Sequence, residues 1–501
     1  MAATTAPSAG ASEMPFTPEN LASERVGPVG VNELQCHLTL LQWFKGLEQG
    51  DTAMDFRQLL LAEVRYTQWL QLLVSWQGPP EYLPLPPIDV AYLWHAHMLT
   101  PVKYAWDMYR LTGDTRLLAF SLPLHGYNDT YGQTQEHGLL KSGAEYWIQA
   151  TGLPYHLDPT VEPDCKVACP WCRHKYSCSW DTMIELRTQR SPKATLKCPA
   201  CDALWNRDTV SGQIFWRDVL WHLEDPDHRF LRGTQYSPVQ WSELQSAIEK
   251  DHTILFDGLT AATVNERISS WKSCQWHNIL REFNEVRYRA KRRRRLRGIR
   301  STTIPNMIRA YREVNGPCSL DLGLAVLRQR SFTQSITSIT WSDSESLGIA
   351  IQRYKMFMGL MKGKRCRVLV PTLDVDLAWH THQLFPKQYA RYTIFSTGQH
   401  INHDDTYSKS RLNTQFALTA KLWLKKYKTP YTASPPKATV WDHLKVTLAA
   451  ISGLSDSPMA RRLSARQQLV PSKKDLKRSG EANDGGGDGG EQPQSGAVGD
   501  Q

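Results

Sequence analysis

Several patterns that define common classes of protein are missing from this chain of 501 residues. No run of about 18 or more apolar residues occurs, the length that a helix needs to cross a bilayer, so no membrane span is predicted. There is no Gly-x-Ser-x-Gly elbow and no glycine-rich phosphate loop of either common type, so nucleophile-based catalysis has no support. No apolar segment near the N-terminus resembles a signal peptide, and residues 1–30 are instead small, polar and proline-containing.

The ten cysteines are therefore expected in a reducing compartment. There, Cys-x-x-Cys pairs indicate metal or redox chemistry rather than structural disulfides. We expect a cytoplasmic and/or nuclear protein. The chain is too long for one hydrophobic core, and its length predicts two to four domains.

Positive charge is concentrated rather than spread over the chain. The net charge is +10, and nine basic residues with no acidic one lie between Arg287 and Arg300. Because the remainder is nearly neutral, the chain is not a broadly basic nucleic-acid binder. We interpret the run preferentially as a nuclear-import signal, the alternatives being a nucleic-acid patch and a solvated loop or helix end with no partner. Its centre consists of Arg292, Arg293, Arg294 and Arg295.

One motif occurs twice, and the chain is organised around it. Residues 86–101 and 371–386 share Pro, Asp, Val, Trp, His, His, Leu and Pro at a constant offset of 285. After a loop that is nine residues shorter in the second copy, residues 129–131 and 405–407 both read Asp-Thr-Tyr. Such a match indicates a duplicated domain. The residues singled out in the two copies are Asp89, Trp94, His95, His97, Asp129, Asp374, Trp379, His380, His382, His403, Asp404 and Asp405.

The Asp-x4-Trp-His-x-His pattern, followed by the acidic Asp-Thr-Tyr segment, resembles the glycine-rich domain-containing protein (GRDP-like) family, a domain of unknown function of plants and fungi. The resemblance extends over both repeats. It implies a link to development and stress, with no settled biochemical activity. Plant members end in a long glycine-rich segment, of which residues 484–490 are the only trace here.

Hydrophobic periodicity predicts a mainly α-helical fold. Apolar residues recur at helical spacing over 31–49 and 56–74, and further helices are predicted over 89–99 and 101–111, the last with Pro at its first position. Residues 264–289 could form one long helix. We predict two homologous helical repeats with a small zinc-ribbon-like insertion between them and disordered termini. The predicted segments are a disordered leader (1–30), repeat 1 (31–158), the insertion (159–215), a Trp-rich helical linker with the basic run (216–303), repeat 2 (304–432) and a mostly disordered tail (433–501).

The insertion contains two Cys-x2-Cys pairs separated by 25 residues, Cys169 with Cys172 and Cys198 with Cys201. Pairs at this spacing can place four thiolates tetrahedrally around one Zn²⁺, and we predict a structural zinc site. Free thiols in a packed subdomain are the alternative, and a thioredoxin-like redox pair fits less well because no βαβ pattern surrounds the pairs. Spare ligands are present in Cys165, His174 and Cys178.

The repeated motif permits two interpretations. On a helix the two histidines of each copy point about 200° apart, so they cannot chelate one ion unless the helix breaks. The preferred interpretation is structural, with buried imidazoles bonded to carboxylates and backbone carbonyls. The rival is a metal-dependent enzyme, for example like the non-haem iron oxygenases, with a second metal in repeat 2. Its predicted ligands are His380, His382, His403 and Asp404.

The sequence favours a non-enzymatic interaction or scaffold protein with a structural zinc site and unidentified protein partners. The rivals are the metal-dependent enzyme and a regulator that contacts nucleic acid through the insertion and the basic run. No substrate, catalytic residue or oligomeric state follows from the sequence.

Overall fold

A computed structural model describes residues 27–48, 54–131, 138–157, 164–188, 194–226, 229–233, 252, 255–292, 303–312, 318–341, 344–362 and 368–432. These residues belong to one compact unit, and they are mainly helical, as predicted. Most of the predicted leader, the core of the basic run and the whole predicted tail lie outside them. Among the described helices, none combines the length and apolar character needed to cross a membrane.

Repeat 1 has six described α-helices, and the first four begin and end close to their predicted positions. The six helices are α1 (Val31–Glu48), α2 (Phe56–Ser75), α3 (Ile88–Met98), α4 (Pro101–Thr112), α5 (Leu124–Thr130) and α6 (Gly138–Thr151), with short 3₁₀ turns at Pro80–Tyr82 and Arg116–Ala119.

Local sequence explains where several of these helices start and stop. Asp55 and Gln58 form a reciprocal capping box at the start of α2. Pro101 occupies the first turn of α4, where no amide donor is needed. Gly113 then ends α4 in the left-handed conformation with φ of 75°, and Gly398 ends the matching helix of the second copy with φ of 83°.

The insertion consists of two small antiparallel hairpins, each followed by a helix. Strands β1 (Asp164–Ala168) and β2 (Lys175–Ser179) lead into helix α7 (Trp180–Thr188). Strands β3 (Leu196–Lys197) and β4 (Leu204–Trp205) lead into helix α8 (Arg207–Glu224). Helix α7 packs against α2 of repeat 1.

In the described part of the linker, two helices, α9 (Ala261–Ser269) and α10 (Trp276–Arg292), replace the single helix expected over 264–289. The break lets the chain pack onto α8. The Trp276 indole donates to Ser211 Oγ at 2.7 Å. The carbonyl oxygen of Cys274 lies so close to Gly212 that an added Cβ would be 1.9 Å from it. Tertiary packing therefore overrides a pattern that would suit a continuous helix.

Repeat 2 follows with six described helices, and the last five of them match α1, α2, α3, α4 and α6 of repeat 1 in that order. The six helices are α11 (Thr303–Arg312), α12 (Leu322–Thr337), α13 (Ser344–Met361), α14 (Leu373–Gln383), α15 (Pro386–Thr397) and α16 (Lys409–Tyr427). Helix α11 packs on α8 and contributes Met307 and Tyr311 to the core of the linker.

The two repeats share one hydrophobic core. Helix α12 packs against α1, α2 and α3, and α15 packs against α4. Buried residues of both repeats, such as Leu41, Trp94, Phe357 and Trp379, belong to the same apolar cluster. The backbone amide of Leu122 also donates to the carbonyl of Leu384 at 3.1 Å. Because of this packing, the two motif helices α3 and α14 lie inside the protein rather than on its surface.

Candidate functional site

The aspartate of each motif is held by an arginine from the preceding helix. Arg65 Nε donates to Asp89 Oδ2 at 2.7 Å, and Arg353 Nε donates to Asp374 Oδ2 at 2.6 Å. The first pair is almost completely buried, and the second is partly exposed. Arg65 also donates to the carbonyl of Tyr155. Both guanidinium groups thus satisfy groups that would be costly to bury alone.

The two motif copies share a second pair of bonds. The indole of Trp94 donates to the hydroxyl of Tyr104 at 3.0 Å, and that of Trp379 donates to Tyr389 at 2.9 Å. In each copy the bond joins the motif helix to the helix that follows it. All four rings are buried, so the bond satisfies two polar groups inside the core.

The second histidine of each motif is bonded to a tyrosine. His97 Nδ1 lies 3.0 Å from the Tyr66 hydroxyl, and His382 Nδ1 lies 3.0 Å from the Tyr354 hydroxyl. His97 also places Nε2 3.1 Å from Asp107 Oδ2. His382 Nε2 has no hydrogen-bond partner among the described residues. Burial lowers the pKa of His382 to about 3, so this imidazole is neutral at pH 7.

Asp107 connects the second histidine of repeat 1 to the start of repeat 2. Its Oδ2 accepts from the backbone amide of Ser319 at 2.6 Å and from the Ser319 hydroxyl at 2.8 Å. His97, Asp107 and Cys318 place their ligand atoms within 4.8 Å of one another, and all three side chains are buried. Because its imidazole and carboxylate are already hydrogen-bonded and closed from solvent, we assign this group to the fold.

The first histidine of each motif faces the boundary between the two repeats. His95 Nε2 lies 3.0 Å from His37 Nε2, and His37 Nδ1 lies 2.8 Å from the Thr381 hydroxyl of repeat 2. One of the two facing Nε2 atoms must carry a proton for this contact to be a hydrogen bond. Burial lowers the pKa of His95 to about 3. The sequence offered no reason to select His37, because it is a single histidine of α1 and lies outside the repeated motif.

In repeat 2 the first histidine meets different partners. His380 Nε2 lies 3.2 Å from His403 Nε2, and Asp376 Oδ1 lies 3.4 Å from the former and 3.7 Å from the latter. Burial lowers the pKa of His380 well below its usual value. Burial also opposes protonation of His403, yet the negative charge of the nearby Asp376 carboxylate raises its pKa. We call Asp376, His380 and His403 the seam triad.

Of the four ligands predicted for a metal in repeat 2, the structure brings two together, His380 and His403. His382 lies on the other side of α14, beside Tyr354. Asp404 accepts from the amide and hydroxyl of Thr406 at 3.0 and 2.6 Å and is exposed. Sequence reasoning missed Asp376. Its position four residues before His380, on the same helical face, was the signal that could have found it.

The remaining acidic residues of the motif differ between the two copies. Asp405 accepts from Arg328 Nε at 3.0 Å and from Gln329 Nε2 at 2.9 Å. Burial acts to raise the pKa of Asp405, but the Arg328 guanidinium lowers it below the usual value. Asp129, its counterpart, is exposed and lies next to Asn128. In the second copy this carboxylate fixes the loop onto α12.

Four cysteine sulfurs converge between the two hairpins of the insertion. Cys169 Sγ lies 3.7 Å from Cys201 Sγ, and Cys172 Sγ lies 3.5 Å from Cys198 Sγ. All four sulfurs lie within 4.8 Å of one another, and we call them the four-cysteine cluster. This group could hold a metal ion.

The backbone around each cysteine pair turns in the same way. The amide of Cys169 donates to the carbonyl of His174, and the amide of Cys198 donates to that of Ala203. The residue after each pair, Arg173 or Asp202, is left-handed, with φ of 63° or 55°. These tight turns direct both thiols of a pair to one point. The other candidates, Cys165 and Cys178, lie opposite one another on β1 and β2 and do not belong to the cluster, nor does His174.

A buried group of charges connects the insertion to both repeats. Arg187 of α7 donates to both carboxylate oxygens of Glu63 at 2.8 and 2.7 Å, and its Nε lies 3.6 Å from Asp321 Oδ2. Arg207 of α8 donates to the carbonyl of Arg187 and lies 4.0 Å from Asp321. Glu63 belongs to α2, and Asp321 caps α12 through the amide of Leu324. Glu63, Arg187, Arg207 and Asp321 form what we call the ion cluster.

The predicted basic patch lies at the edge of the described residues. Arg292 is the last residue of α10. Arg293, Arg294 and Arg295 lie outside the part of the chain that the structure describes.

Fold and site together define a class: a mainly helical protein with two related, deeply buried Trp-His-x-His helices and a cysteine-rich hairpin insertion. Residues 264–392 match the family model described as glycine-rich domain-containing protein-like. This segment of the chain is therefore similar to the GRDP-like family, the resemblance that the repeated motif predicted. The matched segment includes the second motif and begins within the predicted linker.

Two curated plant proteins are similar to part of the chain. Glycine-rich domain-containing protein 1 of Arabidopsis thaliana is 39% identical over 119 residues, which cover 22% of this chain and 14% of that protein. Glycine-rich domain-containing protein 2 of the same plant is 39% identical over 111 residues, covering 21% and 14%. The chain therefore spans about a seventh of the length of these relatives. No solved structure matches the chain significantly.

Proposed function

We propose that the protein is a non-enzymatic interaction or scaffold protein whose four-cysteine cluster holds a structural Zn²⁺. The observation that supports this function best is the ion cluster, which joins the insertion to both repeats. Because a metal would fold the insertion, the packing of both repeats would depend on that metal. The family match adds no activity to this proposal.

The spacing of the sulfurs fits the metal. A tetrahedral site with Zn–S bonds of about 2.3 Å separates its sulfurs by about 3.8 Å. The distances of 3.7 Å between Cys169 and Cys201 and 3.5 Å between Cys172 and Cys198 are close to that value. Four thiolates without an open position are typical of structural sites rather than catalytic ones. The ion would supply a cross-link between the two hairpins.

The insertion has little else to stabilise it. Among its described residues, the apolar core consists of four buried side chains, Val167, Leu186, Ala194 and Trp205. Small zinc-binding segments obtain about 10–16 kcal/mol from the metal, and this free energy is available for folding. We therefore propose that zinc binding and folding of the hairpins are coupled.

Folding of the hairpins would in turn fix the two arginines of the ion cluster. Strand β2 runs directly into α7, which carries Arg187, and β4 is followed by α8, which begins at Arg207. Glu63 and Asp321 are buried, and each would be strongly destabilising without a guanidinium beside it. This arrangement supports a structural role for the metal that extends from the insertion to both repeats.

Side chains of the repeated motif support a structural rather than a catalytic role in repeat 1. Its aspartate, tryptophan and second histidine are hydrogen-bonded to buried neighbours. Surface aromatic side chains are better placed for partners. Tyr82 is 73% exposed and Phe395 is 71% exposed, and exposed aromatics of this kind are enriched at protein interfaces.

Zinc removal tests this proposal. We expect Cys172→Ser and Cys201→Ser to abolish thiolate-bound metal, measured by Co²⁺ substitution and its sulfur-to-metal charge-transfer absorption, and to lower the urea midpoint of the full chain. Cys165→Ser is the matched control in the same insertion and should retain both metal and stability. A full chain that unfolds at the same urea concentration with and without the thiolate-bound metal would contradict a structural role.

The basic run supports a second proposal, in which the protein acts in the nucleus and cytoplasm and contacts nucleic acid. Its nine basic residues, with no acidic one among them, begin within α10 and continue past the described end of that helix. If they bind phosphates, log Kd should rise linearly with log salt concentration, and neutralising Arg292 to Arg295 should flatten the slope. If neutralising these arginines leaves the salt dependence of Kd unchanged, the basic run does not bind nucleic acid and is instead a nuclear-import signal or a solvated segment.

A further inference from the structure

The seam triad belongs to neither the four-cysteine cluster nor the set of bonds that both repeats share. Asp376 and His380 lie four residues apart on one face of α14, and His403 reaches them from the loop between α15 and α16. His380 is 1% exposed, whereas the Asp376 and His403 side chains are 19% and 12% exposed. The group is therefore anchored in the core and open to solvent on one side.

The three candidate ligand atoms, one from each residue of the seam triad, are separated by the distances expected around a tetrahedral metal ion. Metal–nitrogen and metal–oxygen bonds of about 2.0–2.2 Å in a tetrahedron place neighbouring ligand atoms about 3.3–3.6 Å apart. His380 Nε2 and His403 Nε2 are 3.2 Å apart, and Asp376 Oδ1 is 3.4 and 3.7 Å from them. Asp376 Oδ1 is buried and accepts no hydrogen bond of good geometry from the described residues. A buried carboxylate oxygen in this state points to an ion or a water.

Repeat 1 shows what the same position looks like without these ligands. At the motif offset of 285 Asp376 corresponds to Ala91, and at the later offset of 276 His403 corresponds to Tyr127. The Tyr127 hydroxyl donates to the carbonyl of Pro86, and His95 meets His37 instead. The fold therefore accommodates alanine and tyrosine at these places, and the triad is not needed to build a repeat.

We propose that Asp376, His380 and His403 bind a divalent transition-metal ion at the boundary between the two repeats. Two imidazoles and one carboxylate suit Zn²⁺, Fe²⁺ or Co²⁺ better than Ca²⁺ or Mg²⁺, which prefer oxygen ligands. Three protein ligands leave at least one position for water or a small ligand, in contrast to the closed set of four thiolates. The site is thus chemically distinct from the four-cysteine cluster.

Metal binding by the full-length chain tests the proposal. Protein freed of metal is dialysed against buffered Zn²⁺, and bound zinc is measured by mass spectrometry. We expect two zinc ions per chain in the wild type and one in Asp376→Ala and in His403→Tyr. Each variant carries the residue that repeat 1 has at that position. Asp404→Ala, next to His403 and outside the triad, is the control and should retain two.

Cobalt distinguishes the two sites independently of stoichiometry. In the variants the sulfur-to-cobalt charge-transfer absorption of the four-cysteine cluster should remain, while binding at the second site weakens by more than the about 10–100-fold expected for an outer-shell change. Retention of that absorption also shows that a variant is folded. If either variant unfolds, Asp376→Asn provides the test, because Zn²⁺ should then raise the melting temperature less than in the wild type. One thiolate-bound ion in the wild type, or an unchanged second ion in the variants, would overturn the proposal.

Discussion

Replacing Arg187 by methionine tests whether the ion cluster holds the insertion to the two repeats. The substitution removes a guanidinium that donates to both carboxylate oxygens of Glu63 and leaves a side chain of similar length. Glu63 would remain buried with no cation in direct contact. Burial already acts to raise the pKa of Glu63, and the charge of Arg187 opposes that effect.

The size of the effect follows from what Glu63 can do in the variant. A buried carboxylate without a partner binds a proton, and protonating a glutamate with an ordinary pKa of about 4.3 costs about 3.7 kcal/mol at pH 7. This is within the about 3–5 kcal/mol found when one partner of a buried pair is removed. We expect Arg187→Met to lower the free energy of unfolding by about 3–4 kcal/mol at pH 7.

The pH dependence of this loss has a definite sign. In the variant the folded-state pKa of Glu63 lies above the unfolded value, so the folded state binds more protons between the two values. Stability of the variant therefore rises, relative to the wild type, as the pH falls from 7 towards 5. At pH 5 protonation of Glu63 costs only about 1 kcal/mol. Urea unfolding of both proteins at the two pH values measures the difference.

Two further variants make the experiment specific. Glu63→Met combined with Arg187→Met removes both charges and should be more stable than Arg187→Met alone. Arg312→Met breaks the ion pair with Asp208, whose side chains are 38% and 42% exposed, and should cost less than about 1 kcal/mol. A loss below about 1 kcal/mol in Arg187→Met at pH 7, or one that does not change with pH, would refute the reasoning.

Three other predictions follow from single contacts. Gly212→Ala would place Cβ 1.9 Å from the Cys274 carbonyl oxygen, so we expect thermal unfolding at a much lower temperature, whereas Gly348→Ala meets no atom within 4 Å and should be neutral or stabilising. Burial lowers the pKa of His95 to about 3, so stability present above pH 6.5 is lost as the pH falls, by about 2 kcal/mol at pH 5. Between pH 7 and 5 the free energy of unfolding, measured with urea, should therefore fall by about 2 kcal/mol more in the wild type than in His95→Gln. Equal losses would contradict a lowered pKa of His95. Tyr104→Phe leaves the Trp94 indole without its acceptor, so we expect the free energy of unfolding to fall by about 1–3 kcal/mol in the same assay. An unchanged urea midpoint would contradict the Trp94–Tyr104 hydrogen bond.

The sequence predicted the helices well where the pattern and its end signals agree. The opening helices of repeat 1 and the motif helix before Pro101 were placed to within about two residues. All three have apolar residues at helical spacing, and α2 and α3 also have a cap or a flanking proline. The region over 264–289 also has helical spacing, but it bends at residues 270–275 so that Trp276 can reach Ser211. Periodicity cannot show this, because the cause lies on another helix.

Candidate sites were predictable to the extent that they are local. The two Cys-x2-Cys pairs were visible because each is a single turn whose spacing has one common use. The ligands for a metal in repeat 2 were predicted only in part, since His382 and His380 point to different sides of α14. Asp376 was missed, although its spacing from His380 would have allowed the same face to be recognised.

The sequence by itself determined the class of fold, the duplicated motif, the resemblance to the GRDP-like family and the place of the cysteine cluster. Each of these depends on residues a few positions apart or on the comparison of one copy with the other. Only the tertiary structure decided that Glu63 meets Arg187, that His37 meets His95, and that the two motif helices share one core. Those contacts join side chains that are far apart in the chain, and their energies depend on how the helices pack rather than on any local propensity.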